Sequence, residues 1–87
     1  MSEVTIYTTA TCPYCLRAKH LLEKKGAAFA EIRVDLEPQR WQEMETRTQR
    51  NTVPQIYIGE RHIGGFDDMV ELDMDGDLDK LLGVAAS

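Results

Sequence analysis

The sequence predicts an α/β domain built on one small mixed sheet, and three observations predict it. Apolar residues alternate through Glu3–Thr8 and then, past a short loop, recur at helical spacing. A second strand-then-helix pattern follows over Ala28–Thr48. Two further short apolar runs are separated by Gly59-Glu60 alone, which is a hairpin signal of the Gly-X type. The order is β-α-β-α-β-β-α. A right-handed crossover makes the first two strands parallel, and the hairpin adds an antiparallel pair.

Each element has its own warrant. Val4, Ile6 and Thr8 share one face of the first strand. The first helix starts at Cys12 and runs to about Lys25: Cys15, Ala18 and Leu22 fall on one side, Leu21 widens it, and Lys24-Lys25-Gly26 supplies C-terminal charge and a stop. Ala28–Asp35 is a second strand with Phe29, Ile32 and Val34 apolar; its alternation is imperfect, which predicts an edge position or a bulge. Pro38 opens a second helix to about Thr48, whose thin apolar face of Trp41 and Met44 predicts a surface helix held by packing. Gln55–Ile58 and Arg61–Ile63 form the hairpin. After the break at Gly64-Gly65, Asp67 or Asp68 caps a short helix with Met69, Val70 and Leu72, and Asp68 and Glu71 have capping-box spacing. Gly76 interrupts, Asp77 caps again, and Leu78, Leu81 and Leu82 form a last apolar face.

The two cysteines, Cys12 and Cys15, stand at the junction of the first strand and first helix. A Cys at a helix N-terminus meets unpaired backbone N–H groups and the positive end of the helix dipole, and both favour the thiolate. Pro13 suits the first turn, where its missing N–H is not needed. Cys12 is therefore the expected nucleophile. Cys15, one turn on and more enclosed, is the expected resolving thiol. A structural zinc site would need finger-like spacing, and His20 and His62 do not provide it. A permanent disulfide across so short a loop would remove little chain entropy. A Cys-x-x-Cys beside a βαβ pattern points instead to redox chemistry.

Eighty-seven residues make one domain, 1–87, with a modest core. Ten Lys and Arg against fifteen Asp and Glu give a net charge of −5, which argues against a nucleic-acid partner. No basic-then-apolar leader opens the chain, no apolar run reaches membrane length, and Gly83–Ser87 carries no retention or lipidation signal. Two cysteines rather than a dense framework suggest a reducing compartment, and the cytoplasm is expected.

Cys12-Pro13-Tyr14-Cys15, Thr52-Val53-Pro54 and Gly64-Gly65-Phe66-Asp67-Asp68, in that order and on those elements, resemble the glutaredoxins of the dithiol class. The resemblance implies a thioredoxin-like fold, a four-stranded mixed sheet of order 2-1-3-4 flanked by helices, and a cis Pro54 facing the cysteines. It implies a glutathione-dependent thiol-disulfide oxidoreductase that reduces protein disulfides and protein-glutathione mixed disulfides. Glutathione would be a co-substrate, with no metal and no permanently bound cofactor. The partners would be disulfide-bonded or glutathionylated proteins and, indirectly, glutathione reductase, with the enzyme a monomer.

Each motif also has a physical reading. Val53, held extended before Pro54, leaves its N–H and C=O free to pair with an extended peptide. Taken alone, Thr52-Val53-Pro54 is an ordinary strand entry; beside the thiols it becomes a substrate ledge. Gly65 and Phe66 lead into a helix N-terminus that can receive the γ-glutamyl carboxylate, with Phe66 contributing its N–H, while Asp67 or Asp68 receives the ammonium. Tyr14 borders the groove. Tyr7 and Trp41 read as packing residues, His20 as a surface residue and His62 as a hairpin residue.

The chain departs from the family pattern at Thr9, where a Lys is usual, and at Trp41, where a Gln or Arg is frequent; both help hold glutathione's glycine carboxylate. Arg40 is the adjacent substitute, and Arg17 and Lys19 lie near the thiol helix. Gln49 stands where relatives commonly have Gly. Two other readings stay open: a glutaredoxin-like redoxin reduced by thioredoxin reductase, and a dimer sharing an iron-sulfur cluster through Cys12 and glutathione. Pro13 argues against the second.

Overall fold

A computed structural model describes residues 3–83; the C-terminal stretch 84–87, read above for targeting signals, lies outside the described residues. The elements are β1 (Val4–Thr8), α1 (Pro13–Lys24), β2 (Phe29–Arg33), α2 (Pro38–Thr48), β3 (Gln55–Ile58), β4 (Arg61–Gly64), α3 (Phe66–Met74) and α4 (Asp77–Leu82). The sheet order is β2-β1-β3-β4, with β1 parallel to β2 and antiparallel to β3. This is the mixed sheet expected from the sequence. Edge placement explains the imperfect alternation of β2, whose outer positions Ala30 and Glu31 are exposed.

Strand alternation divides the core in two. Val4, Ile6, Ile56 and Ile58 pack against Ala18 and Leu22 of α1, Met69 of α3, and Leu78 and Leu82 of α4. Tyr7 and Tyr57, pointing the other way, pack with Val34 and with Met44 of α2. Full burial of a side chain such as Leu22 stabilises by about 1.5–3 kcal/mol. Lys25, at the end of α1, reaches Asp73 at 2.6 Å and Asp79 at 2.9 Å, tying α1 to α3 and α4.

Several local expectations are corrected. Cys12 is the N-cap of α1 rather than its first helical residue. Neither Asp67 nor Asp68 caps α3: the cap is Gly65, and Asp68, three residues on, reaches back to accept the Gly65 N–H at 2.9 Å. The capping contact thus runs one way, from the Gly65 N–H to the Asp68 carboxylate, and not between Asp68 and Glu71, because the helix begins as soon as the chain leaves the Gly64-Gly65 break. Gly76, in the left-handed region at φ 82, likewise takes the cap expected of Asp77. Of the edge or bulge expected for β2, the edge holds, and a separate bulge lies in β4, where Ile56 pairs with Gly64 and Tyr57 with His62, leaving Ile63 extra. α2 ends at Thr48 as expected, with Gln49 left-handed at φ 60 and its amide donating to the Thr46 carbonyl at 2.8 Å.

Candidate active site

Three junctions meet beyond the C-terminal end of β1: the β1–α1 loop with the cysteines, the α2–β3 loop, and the β4–α3 turn. The first is anchored by Asp35, whose carboxylate accepts the Ala10 N–H at 3.2 Å and is gripped by Arg33 at 2.8 and 2.7 Å. Arg33 holds the Asp35 carboxyl down to about 2. Pro13 occupies the first turn of α1, and Cys12 stands at its head.

Both cysteines are free thiols. Cys12 is partly exposed; its Sγ accepts the Cys15 N–H at 3.2 Å and lies 3.7 Å from the Val53 carbonyl oxygen. Cys15 is 1 % exposed, and burial, then the bond to the Cys12 side chain, push its thiol up to about 12. The accessible sulfur and the enclosed one are therefore different in kind. That is the asymmetry expected of an attacking and a resolving thiol.

The α2–β3 loop is fixed by Thr48. Its buried hydroxyl donates to the Met44 carbonyl at 2.7 Å and accepts the Arg50 N–H at 3.1 Å. From there the chain passes through Thr52 to a cis Val53–Pro54 bond. The Val53 N–H has no hydrogen-bond partner among the described residues, whereas its carbonyl, expected to be free, is the acceptor facing the Cys12 thiol. On the third side, Gly64 sits at φ 116, and a Cβ there would run into the Asp68 carboxylate, so only glycine allows that close approach.

Tyr14, Thr52, Val53, Pro54, Gly65, Phe66, Asp67 and Asp68 line one groove of about 190 Å³, so every residue expected beyond the cysteines comes together there. Tyr14 is half exposed, with its ring 6.2 Å from that of Phe66. Asp68 is held below the usual carboxylate range by the Gly65 N–H and then by Arg50, whose Nη1 lies 3.3 Å away. Asp67 is exposed at the groove edge. A larger apolar hollow of about 340 Å³ lies at the opposite end of the sheet against Val4, Phe29 and Leu82, and it contains no nucleophile.

The groove also holds two residues that the sequence reading missed, Arg50 and Gln55. Arg40, the expected substitute cation, instead pairs with Glu43 at 3.0 Å and Glu37 at 3.7 Å. Arg17 lies over the Tyr14 ring at 5.3 Å, and Lys19 pairs with Glu31 at 2.9 Å. Trp41 packs against the α2-side core, in keeping with a packing role. The signal for Arg50 and Gln55 was their nearness to the Thr52–Pro54 ledge, Arg50 two residues before it and Gln55 directly after it.

A glutaredoxin family model matches residues 4–63, from β1 into β4. The chain belongs to the glutaredoxin family. A glutaredoxin of Pseudomonas aeruginosa is 52 % identical over 82 residues, covering 94 % of this chain and 98 % of its own. Glutaredoxin 3 of Escherichia coli K12 is also 52 % identical, over 94 % of this chain and 99 % of its own. Among solved structures, a buckwheat glutaredoxin–glutathione complex superposes with a TM-score of 0.87 at 32 % identity, covering 98 % of this chain and 83 % of that one. The thioredoxin-like fold of these glutaredoxins is the fold of this chain. Family membership makes this glutaredoxin a thiol-disulfide oxidoreductase, and its Cys12 sulfur lies 3.7 Å from the carbonyl oxygen of Val53, a residue that lines the groove.

Proposed function

We propose that this chain reduces protein-glutathione mixed disulfides and protein disulfides with glutathione, as a monomer in the reducing cytoplasm. The observation that carries the proposal is the position of the Cys12 sulfur, 3.7 Å from the Val53 carbonyl, beside a groove lined by Thr52–Pro54 and Gly65–Asp68. The glutathione complex of the buckwheat relative supports glutathione as the occupant of that groove.

In the first step the Cys12 thiolate attacks the glutathione sulfur of the mixed disulfide. A Cys12–glutathione bond forms, and the substrate sulfur leaves as a thiolate that takes a proton from solvent. A second glutathione thiolate then attacks the glutathione sulfur on Cys12, releasing oxidised glutathione and restoring the Cys12 thiolate. With a protein disulfide, Cys12 attacks first and the Cys15 thiolate displaces the second substrate sulfur, leaving a Cys12–Cys15 disulfide for glutathione to reduce.

The unpaired Val53 N–H suits the extended backbone of glutathione, and the α3 N-terminus suits its γ-glutamyl carboxylate. The acidic pair Asp67 and Asp68 suits its ammonium. Arg50, the cation of the groove, serves where Thr9 and Trp41 leave no charge.

The test is reduction of a glutathionylated peptide by the Cys15→Ser variant, with glutathione and glutathione reductase compared against thioredoxin reductase. The expected result is sustained turnover with glutathione, and none from Cys12→Ser with either source. If the Cys15→Ser variant is inert with glutathione while the wild type accepts electrons from thioredoxin reductase, the chain is a redoxin of another pathway.

A further inference from the structure

His62 lies outside the groove, yet a continuous set of contacts runs from it to the substrate ledge. Its ring stacks on Tyr57, its partner across the β3–β4 pair, with centroids 5.0 Å apart and planes at 27°. Arg47 of α2 lies over the same Tyr57 ring at 3.7 Å. His62 Nε2 is 2.7 Å from Gln55 Oε1. Gln55 is 1 % exposed, and its amide nitrogen donates to the Thr52 carbonyl at 3.0 Å and to the Thr52 hydroxyl oxygen at 3.2 Å.

These contacts assign the hydrogens. The Gln55 nitrogen is committed to Thr52, so its oxygen faces His62, and Nε2 of His62 must carry a proton to donate. Removing that donor would leave a buried amide oxygen without a partner and free Gln55 to turn. The consequence reaches the substrate through one peptide unit. The Thr52 carbonyl and the Val53 N–H belong to the same planar trans amide and point in opposite directions, so whatever holds the carbonyl aims the N–H.

We propose that His62 is a positioning residue of the glutathione groove: through Gln55 it fixes the Thr52–Val53 peptide plane, and so the direction in which the Val53 N–H meets the substrate. The proposal rests on the glutathione reading above. The role is geometric, because His62 touches neither cysteine nor the reacting sulfurs. It also explains a polar side chain buried in β3, where the binary pattern alone calls for an apolar one.

The test compares wild type with His62→Phe, which keeps a ring for Tyr57 but cannot donate, and His62→Gln, whose amide nitrogen can stand in for Nε2. For a glutathionylated peptide, His62→Phe should raise KM about fivefold to tenfold, the worth of one hydrogen bond, with kcat within about twofold of wild type. His62→Gln should restore most of the loss. In amide-resolved NMR of the substrate-free protein, the Val53 amide and the Gln55 side-chain amide should shift in His62→Phe and return toward wild type in His62→Gln. Unmoved amides would overturn the relay, as would an unchanged KM in His62→Phe. A thermal midpoint restored by His62→Gln without recovery of KM would also overturn it, reducing His62 to a packing residue. Absence of glutathione turnover in wild type would sink the functional reading instead, and the amide shifts would then decide the relay alone.

Discussion

At the scale of single residues, the two thiols owe their difference to their surroundings rather than to their chemistry. Cys12 caps α1 at the protein surface, while Cys15 is buried one turn on with its thiol pushed up to about 12 from an ordinary 9.0. Burial is the larger cause and the Cys12 side chain the second. A group with so high a pKa carries little thiolate at neutral pH, and its thiolate fraction grows tenfold with each unit of pH. Formation of a mixed disulfide on Cys12 removes the second cause but not the first. The displacement by Cys15 should therefore accelerate about tenfold per unit between about pH 6 and about pH 8. Rapid-mixing measurement of product release from a Cys12-linked protein disulfide would read this directly. A flat profile would mean that Cys15 gains its charge from a neighbour rather than from solvent pH.

At the scale of elements, the cysteine loop depends on an ion pair at the end of β2. Asp35 holds the Ala10 N–H, and Arg33 keeps Asp35 ionised down to about 2 against an ordinary value of 3.8. A depressed carboxyl stabilises the fold above its unfolded pKa and loses that contribution as pH falls through the folded one. The difference in urea midpoint between wild type and Asp35→Asn should thus be full above about pH 5 and vanish as pH approaches 2. A difference that persists at pH 2 would show that the Asp35 charge is not what anchors the loop. Much of this scale was legible in the sequence: Gly59-Glu60 marked the hairpin, and the uneven alternation of Ala28–Asp35 narrowed that strand to an edge position or a bulge, of which the edge holds. Local spacing also gave both cysteines. The helix caps were misread because Asp is a good cap in isolation, whereas the left-handed Gly76 and the Gly64-Gly65 break decide where the chain turns. Arg50, Gln55 and His62 escaped because their roles arise only when β3, β4 and the α2–β3 loop are brought together.

At the scale of the molecule, the two layers around the sheet are unequal, and the groove draws on both. One face is covered by α1, α3 and α4 through a broad apolar contact that includes Leu22, Met69, Leu78 and Leu82. The other is covered by α2 alone, through Met44 and Trp41 and through polar ties: Tyr7 donates to Glu43 at 2.7 Å, and Tyr57 donates to the Arg47 carbonyl at 3.2 Å. Regions with less buried apolar contact open at lower free energy than the global transition. Amides of α2 should therefore exchange with deuterium well before those of α1, β1 and β3. The end of α2 also leads through Thr48 and Arg50 into the Thr52–Pro54 ledge, so a ligand that grips the ledge binds only when α2 is docked. Mass action then requires that ligand to slow opening. Glutathione, added to the Cys12→Ser variant so that no disulfide forms on that position, should raise protection in the last turn of α2 and across 50–53 more than in α1. Equal protection of both layers without glutathione would refute the unequal packing. Unequal protection that glutathione leaves unchanged would uncouple α2 from the groove and leave the ledge to be held by Gln55 and His62 alone.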